Sequence, residues 1–297
     1  MLEYLKSFIL GIIEGITEWL PISSTGHMIL FDEFITLNTS DAFKDMFFVV
    51  IQLGAILAVI MLFWNKLWPF HLKKTEVKPY FTEKNSFTRL CNNYVYVDRF
   101  ILWFKIALAS VPAAILGLAF DDQIDAMLTG DFRAYIVAAA LIVYGILFII
   151  IESLHIKGKI KDLGTLSYKT ALFIGLIQCL ALVPGTSRSG STILGAMLLG
   201  LSRTAAAEFS FFMAIPTMAG ASLLKAVKFV LDGNSMSSTE LIVLVTAFLS
   251  AFVVSLVAIK YLTDYVKKHT FSAFGIYRIV LGALVLIFFL GKLIVKA

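Results

Sequence analysis

The chain has 297 residues, 59% of them hydrophobic and only 15% charged, with a formal net charge of +5. A soluble globular domain carries about 25% charge, and the mean hydropathy here is +0.89. This balance leaves little room for a soluble domain, and the surplus lysines fall in loops, where they mark membrane orientation and not a nucleic-acid partner.

In chain order, residues 1–30 are apolar but interrupted midway by Glu14, Glu18, Pro21 and a run of small hydroxylated residues. The acids, with no small-residue cleavage site after them, argue against a cleavable leader. Uninterrupted apolar runs follow at 43–64, 100–120 and 133–152. A second interrupted stretch covers 168–202, and three more clean runs cover 205–231, 241–262 and 274–295. Each clean run approaches the ~20 residues that a helix needs to cross the hydrocarbon core. Broken backbone at membrane depth is tolerated only where protein or a watery cavity surrounds it. The two interrupted stretches are therefore predicted to be re-entrant helix hairpins in an all-α, polytopic membrane protein of one domain, 1–297.

Loop charge predicts the orientation. Loop 65–99 holds Lys66, Lys73, Lys74, Lys78, Lys84, Arg89 and Arg99; loop 153–169 holds Lys157, Lys159, Lys161 and Lys169; loop 263–273 holds Lys267 and Lys268. Loop 121–132 carries Asp121, Asp122, Asp125 and Asp131, and loop 232–240 carries Asp232 and Glu240. The positive-inside rule puts the basic loops in the cytoplasm and both termini outside. Hairpin 1–30 then enters from outside and hairpin 168–202 from the cytoplasm. Each half, about 1–152 and 168–297, is one hairpin plus three spans, so the halves are expected to be inverted repeats. Gly11 and Glu14 match Gly175 and Gln178 at an offset of 164, and Pro21, Ser23 and Ser24 match Pro184, Thr186 and Ser187 at 163. Trp19, Trp64, Trp68 and Trp103 lie near segment ends, where interface anchors are expected. Lys73, Lys74 and Lys78 could meet anionic lipid, but an ordinary cytoplasmic loop is the favoured reading.

Chemistry concentrates in the two interruptions. Glu14 and Glu18 are four residues apart, so a helix sets both on one face, where like charges repel. A shared proton or a shared hard cation, Mg²⁺ or Ca²⁺, removes that penalty; the plain alternative is the polar face of an interfacial helix. After Pro21, Ser23, Ser24, Thr25 and Gly26 offer hydroxyls and free backbone N–H groups to an anion, and His27 adds an acid, base or nucleophile. In Pro184-Gly-Thr-Ser187-Arg188-Ser189-Gly190-Ser191-Thr192, the glycines permit tight backbone. Ser187, Ser189 and Thr192 supply hydroxyls, and Arg188 supplies a planar fork of donors suited to phosphate. If the hairpins meet at mid-depth, the acids, hydroxyls, imidazole and guanidinium share one cavity.

These two motifs, with Ala205-Ala-Ala-Glu208-Phe-Ser210-Phe, resemble the undecaprenyl-diphosphate phosphatase, or bacitracin-resistance, family over essentially the whole chain. The resemblance implies a bacterial inner-membrane enzyme of cell-wall synthesis. Such an enzyme hydrolyses a polyprenyl diphosphate lipid to its monophosphate, depends on a divalent cation and has a site open to the outer face. It makes Glu14 and Glu18 the acids that handle metal or protons, Ser24 or His27 the nucleophile or its activator, and Arg188 the diphosphate clamp. Ser23, Thr25, Gly26, Ser187, Ser189, Gly190 and Thr192 surround the phosphates in this scheme. Attack by serine, by histidine or by a metal-activated water all fit these residue types. A homodimer is compatible with the scheme. The rival reading is a secondary transporter or lipid flippase, which the inverted repeat alone suits equally well.

Overall fold

The computed structural model describes residues 1–32, 34–72, 80, 86–130 and 132–296. Lys73, Lys74, Lys78, Lys84 and Asp131 of the loop argument lie outside them. The described chain is helical throughout, its only β-type pairing being two isolated bridges, Phe70 with Val95 and Ile160 with Leu201.

The helices are α1 (Leu2–Thr17), α2 (Ser24–Asp32), α3 (Asp41–Val50), α4 (Gln52–Leu62), α5 (Trp64–Leu67), α6 (Ser86–Tyr94), α7 (Val97–Ala119), α8 (Asp121–Thr129), α9 (Arg133–Ser153), α10 (Tyr168–Gln178), α11 (Arg188–Leu198), α12 (Arg203–Leu231), α13 (Ser238–Lys268) and α14 (Ser272–Lys296). Among the described residues, six segments are long and apolar enough to cross a membrane: Asp41–Leu62, Val97–Ala119, Arg133–Ser153, Arg203–Leu231, Ser238–Lys268 and Ser272–Lys292. They fall within a few residues of the six clean runs of the sequence. The longest, at 31 residues, measures about 46 Å at 1.5 Å per residue and so extends past the hydrocarbon core. By contrast α1, α2, α10 and α11 have 16, 9, 11 and 11 residues, too few to cross.

Side-chain caps begin many of these helices. Ser40, Ser167, Ser187 and Ser202 each accept the backbone N–H of the third residue on. Ser237 and Glu240 form a reciprocal capping box at the start of α13, which satisfies two otherwise orphaned amides. Pro112 and Pro216 sit inside α7 and α12.

Small residues bring the short helices against long ones. A side chain at Gly11 would collide with the backbone of Ala247 on α13, and one at Gly175 with the backbone of Ala109 on α7. Gly145 on α9 and Gly275 on α14 meet each other's carbonyl oxygens in the same manner. Backbone-to-backbone approach of this kind supplies the van der Waals contact that membrane helices need in place of a hydrophobic drive.

The connections sort into two ends. At one end Glu3 accepts from Asn38 N, Ser40 donates to Glu240, and Lys225 and Lys228 of α12 pair with Asp125 and Asp121 of α8. At the other end Lys66 pairs with Glu208, and Arg203 and the Phe271 amide both bond Glu152. The first end holds Asp121 and Asp125 of an acidic loop, and the second holds Lys66 of a lysine-rich loop. Glu208 therefore belongs to the basic end and holds α12 to α5.

Candidate active site

Both interruptions use one backbone device. Ser23 and Ser187 are held at φ 71° and 73°, Ser187 with ψ 122°, a left-handed range of φ whose sparsely populated conformations cost on the order of 1–3 kcal/mol for a residue with a Cβ. Each serine Oγ accepts an amide three residues on, Gly26 N at 3.3 Å and Gly190 N at 3.0 Å. The stop before each is also chemical, since Pro21 cannot continue α1 and Gly185 adopts φ 88°. The backbone therefore pairs Ser23 with Ser187, an offset of 164, one residue away from the pairing of Ser24 with Ser187 suggested by the letters.

The two turns face each other across buried polar contacts. Glu18, at the end of α1, accepts Arg188 Nη2 on Oε1 at 2.9 Å and Ser24 Oγ on Oε2 at 2.9 Å. The remaining Arg188 contacts are on α12, where Nη1 donates to Ser210 O at 2.7 Å and to Ser210 Oγ at 3.2 Å. The guanidinium lies 5.7 Å from the Trp19 ring centre. Trp19 is fully buried and packs edge-on against Phe211, so it walls the site and is no interface anchor. Trp64 and Trp68, exposed and stacked at 4.5 Å, do sit at a helix end as expected.

Hydroxyls of the second motif stitch the turns together. Ser189 Oγ donates to Glu18 O at 3.1 Å, and Thr192 Oγ1 shares a 2.6 Å hydrogen bond with Ser210 Oγ. Ser187 Oγ is 3.1 Å from Ser189 Oγ. Thr25 is half-buried on α2, and Gly26 lies against Leu141. His27 is brought to the same region but is not bonded to Ser24. Its Nδ1 is 2.8 Å from Ser23 O and its Nε2 is 2.7 Å from the Tyr277 hydroxyl.

Glu14 lies one helical turn before Glu18 and is 1% exposed. Its Oε1 has no hydrogen-bond partner among the described residues, and neither do Gln178 Oε1, Trp19 Nε1 and Arg188 Nε. Unsatisfied buried polar atoms are rare and call for a ligand, ion or water. These four atoms, two acceptors and two donors, belong to the interrupted segments; among the described residues Thr39 Oγ1 and His71 Nε2, outside those segments, are unpartnered as well. Among the described residues no three His, Cys, Asp or Glu side chains gather into a metal cluster. A hard cation at Glu14 would thus take most of its oxygens from phosphate and water, a pattern normal for Mg²⁺.

Arg278 was passed over in the sequence. It is fully buried on α14 and clasps both turns at once, donating to Pro21 O at 3.2 Å and to Gly185 O and Thr186 O at 3.0 Å each. An arginine inside an apolar span is itself a functional signal, and that signal was available. Ser210 and Tyr277 carried no such mark.

Two interrupted helices, pinned together by a buried guanidinium and presenting a hydroxyl, a carboxylate and a second guanidinium in one chain of contacts, define a multi-pass membrane protein with an embedded polar site suited to an anion. The chain belongs to the bacitracin resistance protein BacA family, whose model matches residues 7–284. It is 54% identical over 288 residues to an undecaprenyl-diphosphatase of Enterococcus faecalis, covering 96% of this chain and 97% of that protein. It is also 54% identical over 296 residues to an undecaprenyl-diphosphatase of Acetivibrio thermocellus, with 98% and 99% covered. Undecaprenyl-diphosphatase 1 of Clostridium acetobutylicum is 52% identical over 293 residues, with 97% and 98% covered.

Proposed function

We propose that this chain hydrolyses undecaprenyl diphosphate to undecaprenyl phosphate and inorganic phosphate, in the bacterial inner membrane, at a site open to the outer face. The observation that carries the reading is the contact chain from the Ser24 hydroxyl through the Glu18 carboxylate to the Arg188 guanidinium. Relatives bearing the undecaprenyl-diphosphatase name align along nearly their whole length. A transporter or flippase has no need for a hydroxyl aimed at a carboxylate.

In the first step Ser24 Oγ attacks the terminal phosphorus and its proton passes to Glu18 Oε2. The bond to the bridging oxygen breaks, and undecaprenyl phosphate leaves with the electron pair. As Glu18 loses its charge, Arg188 is released to the phosphoryl oxygens, where its fork stabilises the developing charge. In the second step water attacks the phosphoserine and the bond to Oγ breaks. Glu18 returns its proton to Oγ, and dihydrogen phosphate keeps both protons of the water. His27 holds the Ser23 carbonyl, and with it the left-handed turn that presents Ser24. Ser187, Ser189, Gly190 and Thr192, with Thr25 and Gly26, line the phosphate side.

Mg²⁺ or Ca²⁺ fits beside Glu14, whose unpartnered oxygen calls for a cation or proton, with Glu18 near it as second carboxylate. A divalent cation there would neutralise phosphate charge.

The architecture is read as an inverted repeat of two halves, each a re-entrant hairpin and three spans. Supporting this are the matching turns at Ser23 and Ser187, and the matching contacts of α1 with α13 and α10 with α7. Phosphate release by purified protein, with capture of the phosphoryl group on a residue, tests the mechanism. Label on Ser24 is expected; full release by Ser24→Ala would end the serine proposal.

A further inference from the structure

We propose that Tyr277 is a positioning residue for the reaction, acting through His27 on the turn that presents Ser24. This rests on the phosphatase reading above. The argument begins with the carbonyl of Ser23, which can only accept. Its 2.8 Å contact with His27 Nδ1 therefore requires a proton on Nδ1. In the neutral ring Nε2 is then a bare acceptor, and the Tyr277 hydroxyl, 2.7 Å away, donates to it. The two rings lie parallel within 8°, with centres 5.7 Å apart, so the imidazole is held by its plane as well as by both nitrogens.

Tyr277 is itself well placed to set that geometry. Its neighbour Arg278 is anchored on Pro21 O, Gly185 O and Thr186 O, which fixes the register of α14 against both turns. The outer side of Tyr277 is open, the residue being 45% exposed, while the imidazole behind it is buried. The contacts form one line: Tyr277 O–H to His27 Nε2, His27 Nδ1–H to Ser23 O, and Ser23 at φ 71° immediately before Ser24. A strained turn persists only when its surroundings over-determine it, and this line supplies part of that constraint. It also separates the imidazole from the serine proton, which goes to Glu18. The Ser23 carbonyl thus selects the histidine tautomer, and Tyr277 holds the ring in it by donating to the bare Nε2.

The test uses full-length protein in lipid nanodiscs. The chain has four histidines; with His71, His155 and His269 replaced by Gln, ¹⁵N-labelled histidine reports His27 alone. The wild-type ring is expected as the Nδ1–H tautomer with a hydrogen-bonded Nε2, and Tyr277→Phe is expected to keep the proton on Nδ1 and lose the hydrogen bond at Nε2. A wild-type ring protonated on Nε2 and bare on Nδ1, or a Tyr277→Phe spectrum identical to the wild type, would overturn the proposal; the first of these needs no variant at Tyr277. In phosphate release Tyr277→Phe should lower kcat about tenfold, the scale of one hydrogen bond, with KM unchanged. The same change made in a His27→Asn background should cost nothing further. An undiminished tenfold loss in that background would show that Tyr277 acts by another route. Full turnover in His27→Asn alone would overturn the proposal together with the role given to His27 above, and would leave the phosphatase reading standing.

Discussion

The two interrupted segments share a backbone and divide the chemistry. At an offset of 164 the first carries Glu14, Ser24 and His27 where the second carries Gln178, Arg188 and Ser191. Both stop a helix, turn through a left-handed serine and restart on a glycine amide. The first supplies acid and hydroxyl, the second supplies the cation, and the contact between Glu18 and Arg188 joins them. A turn built twice can therefore be read as scaffold, and the residues that differ between the copies as the reactive set. Buried charge fits this division, because neither turn could keep its charge in an apolar setting alone.

The sharpest break of the comparison is at its centre. Arg188→Lys keeps the charge but not the fork, and should reduce phosphate release on the order of 100-fold or more. Near-normal release would remove the clamp from the mechanism. Glu18→Gln should fall by roughly 10²-fold or more as well, since it removes both the proton acceptor for Ser24 and the partner of Arg188. If that variant turns over normally, Ser24 loses its base. Arg278→Met is aimed at the scaffold shared by the two turns. It strips donors from three buried carbonyls, each worth roughly 1–3 kcal/mol when left unpaired, and should lower the unfolding temperature in detergent markedly. Unchanged thermal stability would mean the turns hold without it.

Smallest is a test of whether the copies are equivalent. Ser23→Ala and Ser187→Ala each lose a cap worth about 1 kcal/mol and keep the left-handed strain. Ser23→Gly and Ser187→Gly lose the cap but relieve the strain, so each should be close to neutral. Matched stability changes at the two positions sharpen the comparison, whereas a large mismatch would show that one turn is held by its neighbours and the other by its own geometry.

Much of this was legible in the letters. Pro21, Gly185 and the charged residues marked the interruptions, and the acid and arginine motifs that carried the family resemblance are the ones that meet. The resolution of the letters ran out at single residues. Serine occupies both Ser23 and Ser24, so composition offered no means to choose which of them aligns with Ser187; a torsion angle made the choice. Ser24 and His27, three apart in sequence, suggested a serine–histidine pair, and a helix does set them on one face, yet Glu18 takes the hydroxyl while Ser23 O and Tyr277 take the imidazole. Trp19 was read from its place in the chain as an anchor, but its ring turns inward against Phe211 and Arg188.

What the sequence determined by itself is local: runs of apolar residues long enough to span, the residues that stop a helix, and the polar groups too costly to leave in lipid without partners. Which groups become partners was a tertiary decision. Glu18 and Arg188 are 170 residues apart and Pro21 and Arg278 are 257 apart. Only the packing of α14 and α11 against the first turn brings a guanidinium to each, because a buried charge or carbonyl is satisfied by whatever lies within hydrogen-bond reach, and reach is a property of the fold.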